Sequence, residues 1–182
     1  MLIKNYKPSK FGNPKKLPII SAWAGLEAII PDIIQTFKIA PGRALEFGVE
    51  YGYSTYALAQ YFDKVIGVDT FQGDEHAGVH EIDMEAIQSV MPPNVLLIKS
   101  NYKDYQDDEK YDMIHIDIVH TYKDTFECGD WSMKHSDLVI FHDTQSFPEV
   151  KRAVEDLATK YGAEFYNYPF FNGLGILCKS QS

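Results

Sequence analysis

Two short motifs in the second half of the chain combine carboxylate and imidazole side chains. Asp117 is followed three residues later by His120, and His142 is followed directly by Asp143. Both motifs come where an apolar run of strand length ends, and the carboxyl ends of parallel strands meet at one edge of a sheet. We therefore expect the four side chains to converge. Two acids with water would favour Mg²⁺, whereas ligation by His142 would favour Mn²⁺, Zn²⁺ or Fe²⁺. The alternative is structural: Asp117 caps a helix, and His142 and Asp143 form a turn.

A glycine turn further upstream indicates a second ligand site. A short apolar strand ends at Gly48 and Gly52, and Ser54 and Thr55 can cap the helix that follows. Glycines at such a turn let the backbone approach a ligand, and the free amides of a helix start favour an anionic group. The next strand ends at Asp69, 21 residues after Gly48. At that spacing in nucleotide-binding sheets, an acid accepts hydrogen bonds from ribose hydroxyls. The alternative is a tight turn in which Asp69 is only a capping residue.

The order of the elements predicts an α/β fold. Apolar strands alternate with amphipathic helices, and two last strands, 165–168 and 174–178, lie close enough for a hairpin. This order implies a doubly wound, seven-stranded sheet with helices on both faces. The last strand must be antiparallel, because parallel pairing needs a crossover of about a dozen residues. Residues 21–37 have helical spacing, with Trp23 on the apolar face and Pro31 as a kink or a break.

Composition limits the classes of partner. The 182 residues, 45% hydrophobic and 24% charged, suit one globular domain. A net charge of −9 argues against nucleic acid, which requires a basic stripe, and favours a small-molecule substrate. The lysines near the start lie among prolines. We therefore expect residues 1–20 to be an extended arm and 21–182 a single domain.

Other features indicate a cytoplasmic protein. No apolar run reaches the roughly 20 residues that span a bilayer, and the start of the chain lacks the pattern of a signal peptide. Cys128 and Cys178 have neither metal-ligand spacing nor the pattern of a disulfide framework. Assembly into a homo-oligomer stays open.

The glycine turn resembles a known family. EFGVEYGYS at residues 46–54, followed by VDT at 68–70, resembles the first two motifs of class I S-adenosylmethionine-dependent methyltransferases, whose fold is Rossmann-like. The resemblance implies that Glu46 helps to hold the methionine amino group. Glu50, between the glycines, narrows the loop and disfavours a pyrophosphate. In such proteins an N-terminal helix can also cover the cofactor, which makes Trp23 a residue to test. The implied cofactor site comprises Glu46, Gly48, Glu50, Tyr51, Gly52, Ser54, Asp69, Thr70, Asn101 and Asp117.

The acid and imidazole motifs narrow the resemblance. DIVHTY at 117–122 and IFHD at 140–143 resemble paired motifs of the macrocin and mycinamicin type O-methyltransferases and of cephalosporin-hydroxylase-like proteins. The resemblance covers residues 45–143. It implies that Asp117 and Asp143 hold a divalent cation, with His142 as a third ligand, and that His120 is a base toward a sugar hydroxyl. KHS at 134–136 departs from the two glycines usual in the family, which changes only a turn.

The expected function is metal-assisted transfer of a methyl group from S-adenosylmethionine to a hydroxyl of a sugar or other polyol. His120 and Asp117 are the candidate catalytic residues, since an imidazole titrates near neutrality and can accept the proton. Alternatively, the metal alone acidifies the hydroxyl and His120 orients the substrate or caps a helix. Two other functions stay open: a cofactor-binding scaffold without turnover, and a hydroxylase-like relative that does not transfer methyl. His76 and His80, in the loop after Asp69, could contact a substrate.

Overall fold

The protein is built on a mixed β-sheet. A computed structural model describes residues 2–74 and 78–179, and these residues form eight strands of one sheet. The strands are β1 (Ile3–Asn5), β2 (Arg43–Phe47), β3 (Lys64–Asp69), β6 (Val95–Lys99), β7 (Met113–Ile116), β8 (Leu138–His142), β9 (Glu164–Tyr168) and β10 (Leu174–Cys178). Two further strands, β4 (Gly73–Asp74) and β5 (Gly78–Val79), form a separate antiparallel pair.

Strand order places a crevice in the middle of the sheet. The order is β1-β9-β10-β8-β7-β2-β3-β6, and β8, β7, β2, β3 and β6 are mutually parallel. The chain winds outward from β2 in one direction and from β7 in the other, so the switch point lies between these two strands, where ligands of such sheets bind. The predicted α/β fold is confirmed, as is the reversed last strand, since β10 is antiparallel to both β8 and β9.

The predicted count of seven strands is wrong, because the start of the chain adds an eighth. Ile3–Asn5 pairs in parallel with Phe165–Asn167 of β9. Tyr6, which is buried, then donates a hydrogen bond from its hydroxyl to Asp32, whose carboxylate also accepts from the amide of Ser9 at 3.0 Å. A lysine- and proline-rich edge of this kind has no strand periodicity, so only the tertiary pairing reveals it. The division into arm and domain at residue 20 stays a prediction.

Helices cover both faces of the sheet, as predicted. A 3₁₀ helix (Leu26–Ala28), α1 (Ile30–Phe37), α2 (Tyr53–Leu58) and α3 (Met84–Val90) pack on one face, and α4 (Tyr122–His135) and α5 (Pro148–Tyr161) on the other. Successive strand residues point to opposite faces, so Ala44 lies in the first core and Leu45 in the second. Among the described residues no helix has the length and apolar character needed to cross a membrane.

One local prediction is confirmed and another needs correction. The helical stretch expected across 21–37 is broken near Pro31, one of the two predicted outcomes, and Pro31 lies in the first turn of α1, where a missing N–H costs no hydrogen bond. Ser54 and Thr55 do not cap α2; its N-cap is Gly52, at φ +80°, with no side-chain cap. The Thr55 hydroxyl instead donates to the buried carboxylate of Glu46.

Candidate active site

A cleft of about 470 Å³ opens at the carboxyl ends of β2 and β7. Its walls come from the glycine turn after β2, the ends of β3 and β6, the loops after β7 and β8, and residues 19–23. Pockets for small ligands usually have volumes of roughly 300 to 1,000 Å³, so this cleft has the size of a ligand site.

The glycine turn is shaped by contact with the neighbouring strand. Gly48 has φ +90°, and a Cβ atom there would lie 1.7 Å from the carbonyl oxygen of Asp117. The amide of Asp117 donates to the carbonyl of Phe47 at 2.8 Å, which holds the two backbones together. At Gly52, φ +80°, a Cβ would lie 2.4 Å from the side chain of Met91. Both glycines are therefore required by the packing of the protein itself, in addition to any approach to a ligand.

Asp69 organises the same turn. Its Oδ2 accepts the amides of Val49 at 2.7 Å and Glu50 at 2.9 Å, and its Oδ1 accepts the amide of Phe71 at 2.7 Å. The carboxylate therefore satisfies amides that sequence reasoning left for a ligand. A carboxylate has about four acceptor positions, so contact with ribose hydroxyls stays a prediction.

Most residues predicted to bind a cofactor line the cleft. These are Gly48, Glu50, Tyr51, Ser54, Asp69, Thr70, Asn101 and Asp117. Glu46 is different, because it is fully buried beneath the cleft wall. Its Oε1 lies 2.8 Å from Nδ1 of His115, and its Oε2 accepts the Thr55 hydroxyl. The predicted direct contact between Glu46 and a methionine amino group is therefore not supported. Gly52 likewise lies behind the wall.

The four side chains of the acid and imidazole motifs do meet. Asp117 follows β7, His120 precedes the N-cap of α4, His142 ends β8, and Asp143 begins the turn to α5. Nε2 of His120 lies 2.7 Å from Oδ2 of Asp143 and 3.8 Å from Oδ1 of Asp117. Nδ1 of His142 lies 3.0 Å from Oδ2 of Asp117 and 3.3 Å from Oδ2 of Asp143.

The geometry changes the predicted metal ligands. Nε2 of His142 donates to the carbonyl of Phe171 at 3.1 Å, and its Nδ1 faces the Asp117 carboxylate. A carbonyl and a carboxylate only accept, so both nitrogens of His142 act as donors and neither is available to a cation in this arrangement. Asp117, His120 and Asp143 instead offer ligand atoms that all lie within 4.8 Å of one another. Two carboxylates and an imidazole form a donor set that fits a divalent cation.

Charge coupling within the cluster is strong. Burial by itself lowers the pKa of each histidine, but the carboxylates of Asp117 and Asp143 outweigh it. They raise the pKa of His120 to about 9 and that of His142 to about 10. Burial raises the pKa of both carboxyl groups, yet the histidines hold these pKa values below the usual range. Without a ligand, His120 therefore does not titrate near neutrality as expected from its residue type.

Sequence reasoning missed several residues of the site. Phe147 stacks on the His120 ring with centroids 4.0 Å apart and planes 8° apart, which orients the imidazole. In the sequence, its position directly before Pro148 and five residues after His142, at the end of a strand, is the pattern that could have indicated a place near the site. Tyr102, Asp124 and residues 19–22 also line the cleft. His80 does not line the cleft, but its Nε2 lies 2.8 Å from the hydroxyl of Tyr51, which does. His76 lies outside the described residues.

The cleft is acidic. Among its described lining residues none is lysine or arginine, whereas five are acids: Glu50, Asp69, Asp117, Asp124 and Asp143. Such a surface favours neutral or positively charged ligands and disfavours phosphates.

Comparison with known families agrees with the fold. A family model described as "Methyltransferase domain" matches residues 45–144, from β2 to just past Asp143. The chain belongs to the methyltransferase domain family. This methyltransferase domain is 32% identical over 163 residues to the uncharacterized protein y4gI of Sinorhizobium fredii (strain NBRC 101917 / NGR234). The match covers 76% of the chain and 17% of that protein, so the chain spans only a small part of the relative.

Solved structures share the fold at low sequence identity. One is a Staphylococcus aureus protein assigned as a caffeoyl-CoA O-methyltransferase: TM-score 0.65, 20% identity, coverage 90% of this methyltransferase domain and 86% of that chain. Another is the O-methyltransferase NovP, with a TM-score of 0.64 and 16% identity; the match covers 81% of this domain and 75% of NovP. A third is CalS10, an amino pentose methyltransferase of Micromonospora echinaspora with S-adenosylmethionine bound. Its TM-score is 0.64 at 12% identity, and the match covers 87% of this domain and 92% of CalS10. At these identities the likeness establishes the class I methyltransferase fold alone.

Proposed function

We propose that this domain is an O-methyltransferase that moves a methyl group from S-adenosylmethionine to a hydroxyl of a small molecule, a sugar or other polyol, with a divalent cation at the acceptor side. The observation that carries the proposal is the meeting of Asp117, His120 and Asp143 in a cleft that also contains the glycine turn and Asp69. One cleft thus has room for a nucleoside-bearing donor and for a hydroxyl beside acid and imidazole groups.

Different residues of the cleft would bind the methyl donor and the acceptor. S-adenosylmethionine would supply a methyl group activated by a positive sulfur, and a cation held by Asp117, Asp143 and water would polarise the hydroxyl. The turn and Asp69 hold the donor, and the cluster holds the acceptor, so that the two are oriented for reaction. A cation on the two carboxylates would offset the charge that raises the pKa of His120, so that a neutral His120 can receive the proton of the hydroxyl. Asp143, 2.7 Å from Nε2, stabilises the imidazolium that results.

The charge of the cleft supports the choice of ligands. A sulfonium cofactor carries positive charge and a polyol is neutral, and both suit walls with five acids and no described lysine or arginine. Acceptors that carry several phosphates, such as nucleotides or coenzyme A thioesters, would meet repulsion there.

A second candidate is a relative of the same fold that binds the cofactor or another ligand without transferring methyl. The engagement of the Glu46 carboxylate and of both Asp69 oxygens by protein groups favours it. Native mass spectrometry of the purified protein, followed by calorimetry, separates these functions from an empty scaffold. We expect S-adenosylmethionine or S-adenosylhomocysteine to bind in the micromolar range. If neither ligand produces heat or a thermal shift, the methyltransferase proposal fails. Formation of S-adenosylhomocysteine with a panel of polyols then distinguishes transfer from binding alone.

Replacement of Asp69 by alanine should weaken cofactor binding by about 1.5 to 3 kcal/mol, because hydrogen bonds to a charged acceptor are lost and two amides of the turn lose their partner. Calorimetry with S-adenosylhomocysteine measures the effect. Asp63→Ala, which removes an exposed acid just before β3, is the matched control and should leave affinity unchanged. Equal affinity of the Asp69→Ala variant and the wild type would show that Asp69 has no part in the cofactor site.

A divalent cation should stabilise the protein through Asp117 and Asp143. At about 100 times its dissociation constant a bound ion adds about 2.7 kcal/mol, which corresponds to a rise in Tm of about 5 to 10 °C for a chain of this size. Titration of chelator-treated protein with Mg²⁺ and Mn²⁺ measures the rise. It should vanish in the Asp117→Asn, Asp143→Asn double variant and persist in Asp124→Asn, which removes another acid of the cleft. His120→Gln compared with His142→Gln identifies the imidazole ligand. A rise that survives the double variant would place the ion elsewhere.

A further inference from the structure

A chain of buried hydrogen bonds runs from the cleft to the helix after the glycine turn. Nε1 of Trp23 donates to Nε2 of His115 at 3.1 Å, Nδ1 of His115 lies 2.8 Å from Oε1 of Glu46, and the Thr55 hydroxyl donates to Oε2 of Glu46. Trp23 has 2% of its surface exposed, and the other three have none.

The direction of these bonds follows from the chemistry of the groups. The indole N–H of Trp23 can only donate, so Nε2 of His115 accepts and its proton lies on Nδ1. That proton is donated to Glu46, whose carboxylate is held in the core by one donor on each oxygen. Each side-chain nitrogen and oxygen in this series of four residues therefore has a hydrogen-bond partner of the right kind. Loss of any member therefore leaves a buried group unsatisfied, which usually costs about 1 to 3 kcal/mol.

Trp23 is also the anchor of the segment that covers the cleft. This segment, residues 19–23, lines the cleft, and its Ile20 is fully exposed. Between residues 11 and 25, a stretch that the structure describes throughout, Trp23 is the one buried residue. Its ring packs edge-on against His115 with centroids 5.2 Å apart. Trp23 is therefore the one buried side chain of residues 19–23, whereas the residues before them are held by the Lys16–Glu27 ion pair at 2.7 Å and by hydrogen bonds between Lys15 and Gln60.

His115 joins this anchor to the strands that carry the site. It lies on β7, two residues before Asp117, and Glu46 lies on β2, two residues before Gly48. We propose that His115 is a positioning residue: through its hydrogen bond to Trp23 it holds residues 19–23 over the cleft, and cofactor affinity depends on that bond. The affinity part rests on the proposed function, whereas the anchoring of Trp23 by His115 does not.

The test for affinity compares Trp23→Phe, which keeps an aromatic ring and removes the N–H, with His115→Phe, which removes both hydrogen bonds. Each should weaken binding of S-adenosylhomocysteine about tenfold, the equivalent of one hydrogen bond. The double variant should bind about as well as the weaker single variant, because both changes break the same link. His115→Gln, which keeps an acceptor and a donor, should recover part of the affinity. Trp131→Phe, which changes the other tryptophan on the opposite face of the sheet, is the control and should bind normally.

A second readout needs no ligand. In a Trp131→Phe background the tryptophan fluorescence, excited selectively over that of tyrosine, comes from Trp23 alone. His115→Phe should increase the quenching of this fluorescence by acrylamide severalfold at temperatures far below Tm. If His115 has a purely structural role, its replacement would lower Tm without changing affinity or quenching, and that result overturns the inference. Additive effects of Trp23→Phe and His115→Phe on affinity in the double variant would overturn it as well. If the wild type binds no cofactor, the proposed function fails and quenching still decides the role of His115. If His115→Phe does not fold, Trp23→Phe decides affinity, and His115→Asn, whose shorter side chain cannot bridge Trp23 and Glu46, decides quenching.

Discussion

Replacement of His120 by alanine should lower turnover about 100-fold or more and leave cofactor affinity nearly unchanged, since general base catalysis is usually worth about 10² to 10⁴. The imidazole lies against Asp143, is stacked on Phe147, and faces the same cleft as the glycine turn. Release of S-adenosylhomocysteine with a polyol acceptor measures turnover, and calorimetry measures affinity.

The control for His120 is a histidine at the opposite end of α4. His135→Ala, at the end of α4, changes a ring that stacks on Trp131 outside the cleft and should leave turnover unchanged. Asp143→Asn should also lower turnover, because it removes the carboxylate that stabilises the protonated imidazole. If His120→Ala keeps wild-type turnover across pH 6 to 9, the metal alone acidifies the hydroxyl and His120 is not the base.

Gly48→Ala should destabilise the protein by about 3 to 5 kcal/mol, or prevent folding, and abolish cofactor binding. The added Cβ would lie 1.7 Å from the carbonyl oxygen of Asp117, and its φ of +90° is one that side chains rarely adopt. Backbone atoms must therefore separate between β2 and β7, at the switch point of the sheet. Urea denaturation and S-adenosylhomocysteine calorimetry measure the two effects.

Gly162→Ala is the matched control for Gly48→Ala. Gly162 ends α5 with φ +60°, and a Cβ there meets nothing within 4 Å, so it tests backbone strain without a clash. It should cost about 1 kcal/mol. Equal losses in the two variants would mean that strain alone, and not the contact of Gly48 with β7, explains the requirement for glycine.

The sequence by itself determined the architecture and the place of the chemistry. Apolar runs, helical spacing and the glycine turn depend on local periodicity, and the parallel order of strands then brings Asp117, His120, His142 and Asp143 to one edge. The short connection before β10 determined its direction for the same local reason. None of these conclusions needs the position of a side-chain atom.

Only the tertiary structure decided what each polar group does. It buried Glu46 against His115 and Thr55 and gave the Asp69 oxygens to amides of the turn. It grouped His120, rather than His142, with the two acids as possible ligands of a cation. It also raised the pKa of His120 by placing two carboxylates beside it, and brought Phe147 and Trp23 to the site. Hydrogen-bond partners and pKa values depend on distances between residues far apart in the chain, and β1 pairs with a strand about 160 residues away. Such distances leave no local pattern, because many sequences satisfy the same fold with different partners.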